Sequence, residues 1–290
     1  MYGTACGVWG DILTGLGFFL NDIGEGKILY LGNNDLIVDF LKEQPFIKQV
    51  KKLQVDEKLW RRYWIYSVFH KISDEYPDYM PKPEDPFLNQ GLKQSEFKIT
   101  HLTYDKAQPD QPIYQWQNAK LPKYIEDWAR ETAKTLPKNF YLYQPYSFNS
   151  NSPDDHWPYW NELTDLLLKR TNKNLVIIGN NWIPSVYRSF QYFESNKIFS
   201  LYNQTPSMLH VFGLAKYAVG TITTSNSLAH WCQIQNLPCT VISNRKSTRK
   251  HYYFRRVLEW PTIEIAEFSS SIQQAFNACG DGVFKYEKLI

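Results

Sequence analysis

The chain has 290 residues and an ordinary globular composition, with 43% hydrophobic and 21% charged residues. This length is too great for one small core, so we expect one large domain or two medium ones, and two are favoured. The formal net charge of +3 is slight and argues against a protein whose whole surface is built to bind nucleic acid.

No apolar segment approaches the roughly 20 residues that a helix needs to cross a bilayer, and the N-terminus lacks the charged start and long apolar stretch of a signal peptide. We therefore predict a soluble, cytoplasmic protein without a membrane span. The four cysteines include no C-x-x-C pair, which disfavours a zinc site and a disulfide framework and favours buried thiols. They are Cys6, Cys232, Cys239 and Cys279.

Short apolar runs alternate with amphipathic segments in the first part of the chain, which is the pattern of βαβ units. The predicted elements are strands at 27–32, 47–55 and 97–104, and helices at 35–44 and 56–72, the second with Asp56 as its N-cap. Prolines are dense between Asp74 and Gln117, so irregular chain is expected around the strand there.

The same alternation restarts after a helix at 121–136, which has Pro122 near its first turn. The predicted elements that follow are strands at 139–146, 174–180, 197–201, 217–223 and 239–243, and helices at 157–170, 185–193, 206–215 and after Ser225.

Two such arrays predict an α/β protein with two Rossmann-like domains that face a cleft. We assign residues 1–130 to the N-terminal domain and 131–290 to the C-terminal domain. Ligands bind such sheets at the carboxyl ends of the strands, where the chain turns into helices. The strand-to-helix junctions therefore hold the candidate site residues.

One junction is Ser225 to His230, with the sequence SNSLAH. Ser225, Asn226 and Ser227 present a helix N-terminus, whose N–H groups and positive dipole end suit a phosphate. Ser and Asn are also ordinary N-caps, and a histidine near the end of the first turn is more often a satisfied, partly buried side chain than a ligand contact.

The other junction is GVWGD, in which Gly7, Gly10 and Asp11 follow the first expected strand. Asp11 is either a helix cap or a carboxylate held at the cleft to take a proton from an incoming hydroxyl. The glycine spacing does not fit G-x-G-x-x-G, so the main support for a dinucleotide site is absent.

Six basic residues lie between Ser243 and Trp260 with no acid before Glu259: Arg245, Lys246, Arg249, Lys250, Arg255 and Arg256. They form either a solvated surface loop or a contact for a phosphorylated or acidic ligand.

The order of these motifs resembles glycosyltransferase family 9, the ADP-heptose heptosyltransferases and their relatives. The similarity covers residues 1–53 and 138–245: Gly-Asp at a helix start, a second βα array, and a late strand followed by a polar turn, Leu-x-His and a helix. The resemblance implies the GT-B fold, in which the N-terminal Rossmann-like domain binds the acceptor and the C-terminal one binds the nucleotide-sugar donor.

The resemblance also implies roles for particular residues. Asp11 matches the aspartate that serves as the general base of the family. SNSLAH matches the family's D-T-G-L-x-H segment, which touches the donor phosphates: Leu228 and His230 coincide, whereas Ser225, Asn226 and Ser227 replace Asp, Thr and Gly.

The segment YLYQPYS stands where the family has a strand ending in H-P-G-A, so Gln144 to Ser147 would line the cleft. The family next places a lysine on the donor phosphate, two residues before a tryptophan. Asp155 has that spacing here, with His156 beside Trp157, so this chain departs from an ordinary heptosyltransferase.

The resemblance thus implies inverting sugar transfer from a nucleotide-diphosphate sugar to a glycan or small acceptor. The turn at Ser225–Ser227 would stabilise the departing phosphate, with His156, Arg245 or Lys246 as further candidates. No D-x-D pair occurs, so no metal site is predicted, and no cofactor is expected besides the donor substrate.

Three alternatives stay open. The acceptor could be a nucleic-acid base, with Arg255, Arg256 and the rest of the basic segment on the phosphate backbone. The same fold could carry a nucleotide-sugar epimerase or hydrolase, because fold does not fix chemistry. The protein could also bind nucleotide sugars without catalysis.

Overall fold

The computed structural model describes ten segments of the chain, which divide into two compact units, Met1–Pro122 and Lys123–Ile290. The segments are 2–6, 8–22, 24–54, 97–98, 118–145, 157–179, 195–224, 226–243, 263–267 and 272–287. The helices expected at 56–72 and 185–193 lie outside them. Within these segments, no helix has the length and apolar character needed to cross a bilayer.

The first unit has four described strands, which form a parallel sheet in the order β3-β2-β1-β4. Its elements are β1 (Tyr2–Cys6), α1 (Trp9–Asp22), β2 (Gly26–Leu31), α2 (Asp35–Lys42), β3 (Ile47–Leu53) and β4 (Phe97–Lys98). The βαβ alternation predicted from the apolar spacing is therefore present in this unit.

Helix α2 illustrates how local sequence sets the fold of the first unit. Asn34 caps it, since its side-chain oxygen accepts a hydrogen bond from Leu36 N at 3.0 Å. Its buried side chains recur at helical spacing and form one apolar face: Ile37, Val38, Phe40 and Leu41. The buried Gln44 amide then bonds both backbone groups of Lys120, which fixes the end of the unit.

The second unit has six described strands in one parallel sheet, ordered β10-β9-β8-β5-β6-β7. Its strands are β5 (Phe140–Gln144), β6 (Asn174–Ile177), β7 (Ile198–Ser200), β8 (Gly220–Thr224), β9 (Cys239–Ser243) and β10 (Ile263–Glu267). Its helices are α3 (Lys123–Thr135), α4 (Trp160–Arg170), α5 (Met208–Ala215), α6 (Ser227–Ile234) and α7 (Ile272–Glu287). Counted from β5, the order is 3-2-1-4-5-6, which is that of the Rossmann fold.

The core of the second unit is rich in large aromatic side chains. Trp160 packs edge to face on Tyr143 and Trp157, with centroid distances of 5.6 and 5.3 Å. Tyr143 keeps its hydroxyl bonded inside this core, to Thr164 at 3.0 Å. Phe212 of α5 and Trp231 of α6 stack at 5.0 Å, which joins these two helices.

The prediction of an α/β protein with two Rossmann-like sheets is confirmed, but the sequence analysis missed β10 and α7. The signal for β10 was present, since Ile263 and Ile265 alternate with Glu264 in a short run, which is the pattern of a half-buried strand. Helix α7 contains Gly280-Asp281-Gly282, a sequence typical of a turn, so the local sequence does not indicate a helix there. The helix packs through buried Ala275 and Cys279, a tertiary contact that the local sequence does not show.

Candidate functional site

Among the described strands, each sheet has one place where the order of strands reverses, and ligands of such sheets bind at this kind of place. In the first unit the reversal lies between β1 and β4, and in the second it lies between β5 and β8. In open α/β sheets, ligands bind outside the carboxyl ends of the strands at such a point. The residues that follow β1, β5 and β8 therefore surround the candidate sites.

Asp11 lies beside the reversal point of the first unit. Helix α1 begins at Trp9, so Asp11 is its third residue, and its carboxylate Oδ2 accepts a hydrogen bond from Val8 N at 3.1 Å. The side chain is partly exposed. The negative charge of a carboxylate is favourable at a helix N-terminus. Asp11 thus closes the first turn of α1 beside the reversal point of the sheet.

Aromatic packing anchors the first turn of the helix that carries Asp11. The ring of Trp9 lies edge to face against Phe40 of α2, with ring centroids 5.6 Å apart at an interplanar angle of 78°. Val8, whose backbone N–H bonds the Asp11 carboxylate, has a side chain that is 40% exposed. The position of the carboxylate is therefore fixed by a backbone bond and by contact between two helices.

Asn226 lies at the reversal point of the second unit, where it is the N-cap of α6. Its Oδ1 accepts hydrogen bonds from Leu228 N at 2.9 Å and Ala229 N at 3.4 Å. Its Nδ2 donates to Thr223 Oγ1 at 2.8 Å and to Gln144 Oε1 at 3.1 Å. The side chain thus connects the carboxyl ends of β5 and β8 to the first turn of α6.

This cap changes how an anion could bind at the turn. The expected cradle consists of N–H groups at the start of α6, but the cap already uses those of Leu228 and Ala229. A phosphate would either compete with the Asn226 side chain for these two groups or use the N–H of Ser227, the first residue of the helix.

His230 is buried, with no exposed area, in a helix whose residues from Leu228 to Ile234 are all buried. Burial holds the pKa of this imidazole well below its ordinary value, because the charged form loses its hydration. The ring is therefore neutral and part of the core. A direct contact with a donor, as predicted from the sequence, would require the surrounding side chains to move.

Several predicted site residues lie outside the described segments: Ser147, His156, Ser225, Arg245, Lys246, Arg255 and Arg256. The sequence analysis did not single out Thr223, which the structure brings to the site. No sequence motif indicates it, because its role depends on the register in which Thr223 lies opposite Gln144.

Across the described segments, no group of three or more His, Cys, Asp or Glu side chains is placed to hold a metal ion.

No protein-family model matches the chain, and comparison with curated proteins finds no match by sequence. Solved structures do match. The Escherichia coli ADP-heptose lipopolysaccharide heptosyltransferase II has a TM-score of 0.61 at 10% identity, with 99% of each chain covered. A glycosyltransferase family 9 protein from Veillonella parvula has a TM-score of 0.68 at 10% identity, covering 98% of this chain and 97% of that one.

A third match is the E. coli heptosyltransferase WaaC with ADP-2-deoxy-2-fluoro heptose, at a TM-score of 0.51 and 15% identity, with 99% of each chain covered. At such low identities these similarities establish the fold. The fold expected from the resemblance to family 9 is therefore confirmed over nearly the whole chain.

Proposed function

We propose that the protein is a glycosyltransferase that moves a sugar from a nucleotide-diphosphate sugar to an acceptor hydroxyl. The observation that carries this proposal is the position of the two predicted motifs. Asp11 and the SNSLAH turn each follow the strand beside the reversal point of their sheet. Ligands of Rossmann-like sheets bind at such points, and the fold is one on which heptosyltransferases are built.

In the proposed reaction, Asp11 acts as the general base. Its carboxylate takes the proton of the acceptor hydroxyl while that oxygen bonds to the anomeric carbon of the donor sugar. The bond from the anomeric carbon to the diphosphate breaks, the electron pair leaves with the nucleoside diphosphate, and the configuration at the carbon is inverted. The bond from Val8 N to Oδ2 keeps the carboxylate in one orientation throughout.

The second unit would hold the leaving diphosphate. The positive end of the α6 dipole and the N–H of Ser227 stabilise negative charge that develops on the phosphate, without a metal ion. The sequence analysis predicts that further residues, which lie outside the described segments, bind the donor or its phosphate. These are Ser225, Ser147, His156, Arg245 and Lys246, and their contacts belong to the same proposal.

The substrate classes follow from the same reasoning. One of the matching proteins is an ADP-heptose heptosyltransferase and another was solved with ADP-2-deoxy-2-fluoro heptose, so an ADP-linked sugar is the first donor to test. We favour a glycan or small-molecule acceptor over a nucleic acid, because the formal net charge is only +3. A cytoplasmic location stays a prediction.

The substitution Asp11→Asn tests the catalytic role of the carboxylate. The asparagine oxygen can still accept the hydrogen bond from Val8 N, so folding and donor binding should be retained. Turnover should fall by about 100-fold or more, because the base is lost while its shape is kept. Asp35→Asn is the matched control, since Asp35 is also an acid in the first turn of a helix of the same unit.

Product analysis distinguishes the alternatives. A transferase releases nucleoside diphosphate only when an acceptor is present, whereas a hydrolase releases free sugar without one and an epimerase interconverts donor sugars. Full activity of Asp11→Asn would mean that Asp11 serves as a helix cap and not as the general base. Absence of any turnover by the unmodified protein, with donor binding intact, would favour a binding protein without catalysis.

A further inference from the structure

The Asn226 side chain has no hydrogen-bonding capacity left for a ligand. An amide side chain offers two lone pairs on its oxygen and two hydrogens on its nitrogen. In Asn226 both lone pairs accept backbone N–H groups of α6, and the nitrogen donates to Thr223 and Gln144. A direct contact between this side chain and the donor, as expected from the sequence, would break one of these four bonds.

The backbone determines the orientation of both amides. Backbone N–H groups can only donate, so the oxygen of Asn226 must face Leu228 and Ala229, and its nitrogen must face the strands. Gln144 then has to present its oxygen to Asn226. The amide nitrogen of Gln144, with its two hydrogens, is consequently directed away from Asn226.

These residues occupy the reversal point of the sheet. Gln144 is the last residue of β5 and lies opposite Thr223 of β8 in the parallel register. Thr223 is fully buried, whereas Gln144 and Asn226 are partly exposed. The one member of the network with spare donors at the carboxyl edge is therefore Gln144, and a nucleotide-diphosphate sugar is rich in acceptor oxygens.

We propose that Asn226 is a positioning residue and that Gln144 makes the donor contact. By capping α6 and holding the Gln144 oxygen, Asn226 directs the Gln144 Nε2 group to a phosphate or sugar oxygen of the bound nucleotide sugar. This inference rests on the proposed function of the second unit. It assigns to Gln144 a contact that neither the cap nor the helix dipole can provide.

A double-mutant cycle on Asn226 and Gln144 tests this inference. Asn226→Asp keeps an oxygen for Leu228 and Ala229 N–H, but it loses both hydrogens that orient Gln144. Gln144→Leu removes the proposed contact itself. The probe is whichever of ADP, GDP, UDP and CDP binds the unmodified protein most tightly, with the dissociation constant measured by calorimetry.

We expect each single substitution to weaken binding by about tenfold, and the double substitution to be no weaker than Gln144→Leu alone, because both act on one contact. Asn226→Ser keeps a capping oxygen without a negative charge, so it serves if Asn226→Asp fails to fold and reports any repulsion from the new carboxylate. Asn34→Asp, the same change at the N-cap of another eight-residue helix, should leave binding unchanged.

Two results would overturn the inference. If the losses of affinity in the two single variants multiply in the double variant, Asn226 acts on the ligand independently of Gln144. Unchanged binding in Gln144→Leu would mean that Gln144 makes no contact. If none of the four nucleotides binds the unmodified protein, the proposed function itself fails, and this outcome is distinct from failure of the network alone.

Discussion

Two helical glycines should respond in opposite ways to alanine, because the structure gives them different surroundings. A Cβ on Gly213 of α5 would lie 2.9 Å from the Ala129 Cβ of α3 and 3.4 Å from a methyl carbon of Ile125. Carbon atoms pack best at about 3.5–4.0 Å, so α3 and α5 would have to separate. A Cβ on Gly15 of α1 meets no atom within 4 Å.

The magnitudes follow from two opposing terms. Overpacking costs about 1–3 kcal/mol, whereas replacing a helical glycine by alanine gains about 1 kcal/mol of helix propensity. Gly213→Ala should therefore lower the free energy of unfolding by up to about 2 kcal/mol, while Gly15→Ala should raise it by up to about 1 kcal/mol. Urea unfolding of both variants beside the unmodified protein measures the difference.

A second-site change identifies the cause. Ala129→Gly removes the atom that the new Cβ would meet, so the double variant should be less destabilised than the sum of the two single changes. If Gly213→Ala is as stabilising as Gly15→Ala, or if the double variant is simply additive, the close approach of α3 and α5 is wrong.

Three further predictions concern the second unit and the basic segment. Ser227→Pro deletes an N–H at a helix position that tolerates proline, so it should weaken nucleoside diphosphate binding more than Ser227→Ala; equal effects in folded protein would exclude the backbone contact. The pKa of His230 is lowered in the folded protein, so below about pH 6.5 the unfolded chain binds more protons than the folded one. The stability that the neutral His230 contributes is therefore lost as the pH falls through this range. His230→Gln should flatten the dependence of the urea midpoint on pH between 7 and 5, and an unchanged slope would contradict the buried neutral ring. The unmodified protein should bind oligonucleotides weakly, with an affinity that changes little with salt, and the double substitution Arg255→Ala with Arg256→Ala should leave this unchanged. A steep salt dependence in the unmodified protein that the double substitution flattens would favour a nucleic-acid acceptor.

Periodicity was sufficient to predict most of the described fold. The apolar spacing of residues 35–44 predicted a helix, and the run at 139–146 predicted a strand; both are present, with ends that differ by a few residues. Buried thiols were also expected, and Cys232, Cys239 and Cys279 are free and buried. Burial raises the pKa of Cys279 to about 12, which makes this thiol inert at neutral pH.

Contacts distant in sequence could not be predicted in this way. Asn226 was correctly indicated as a possible N-cap, because capping depends on residues two and three positions away. Its bond to Gln144 spans 82 positions and depends on the pairing of β5 with β8. The burial of His230 likewise results from the packing of α6 on all sides, which the amphipathic pattern of one helix does not reveal.

The most direct test of the proposed function is a thermal-shift experiment with ADP-, UDP-, GDP- and CMP-sugars. A ligand at about 100 times its dissociation constant stabilises the folded state by about 2.7 kcal/mol, which corresponds to roughly 5–10 °C for a unit of this size. We predict such a shift with one nucleoside-diphosphate sugar, most readily an ADP-sugar, and none with the free sugar. Unchanged melting temperatures with all four would contradict a nucleotide-sugar site in this protein.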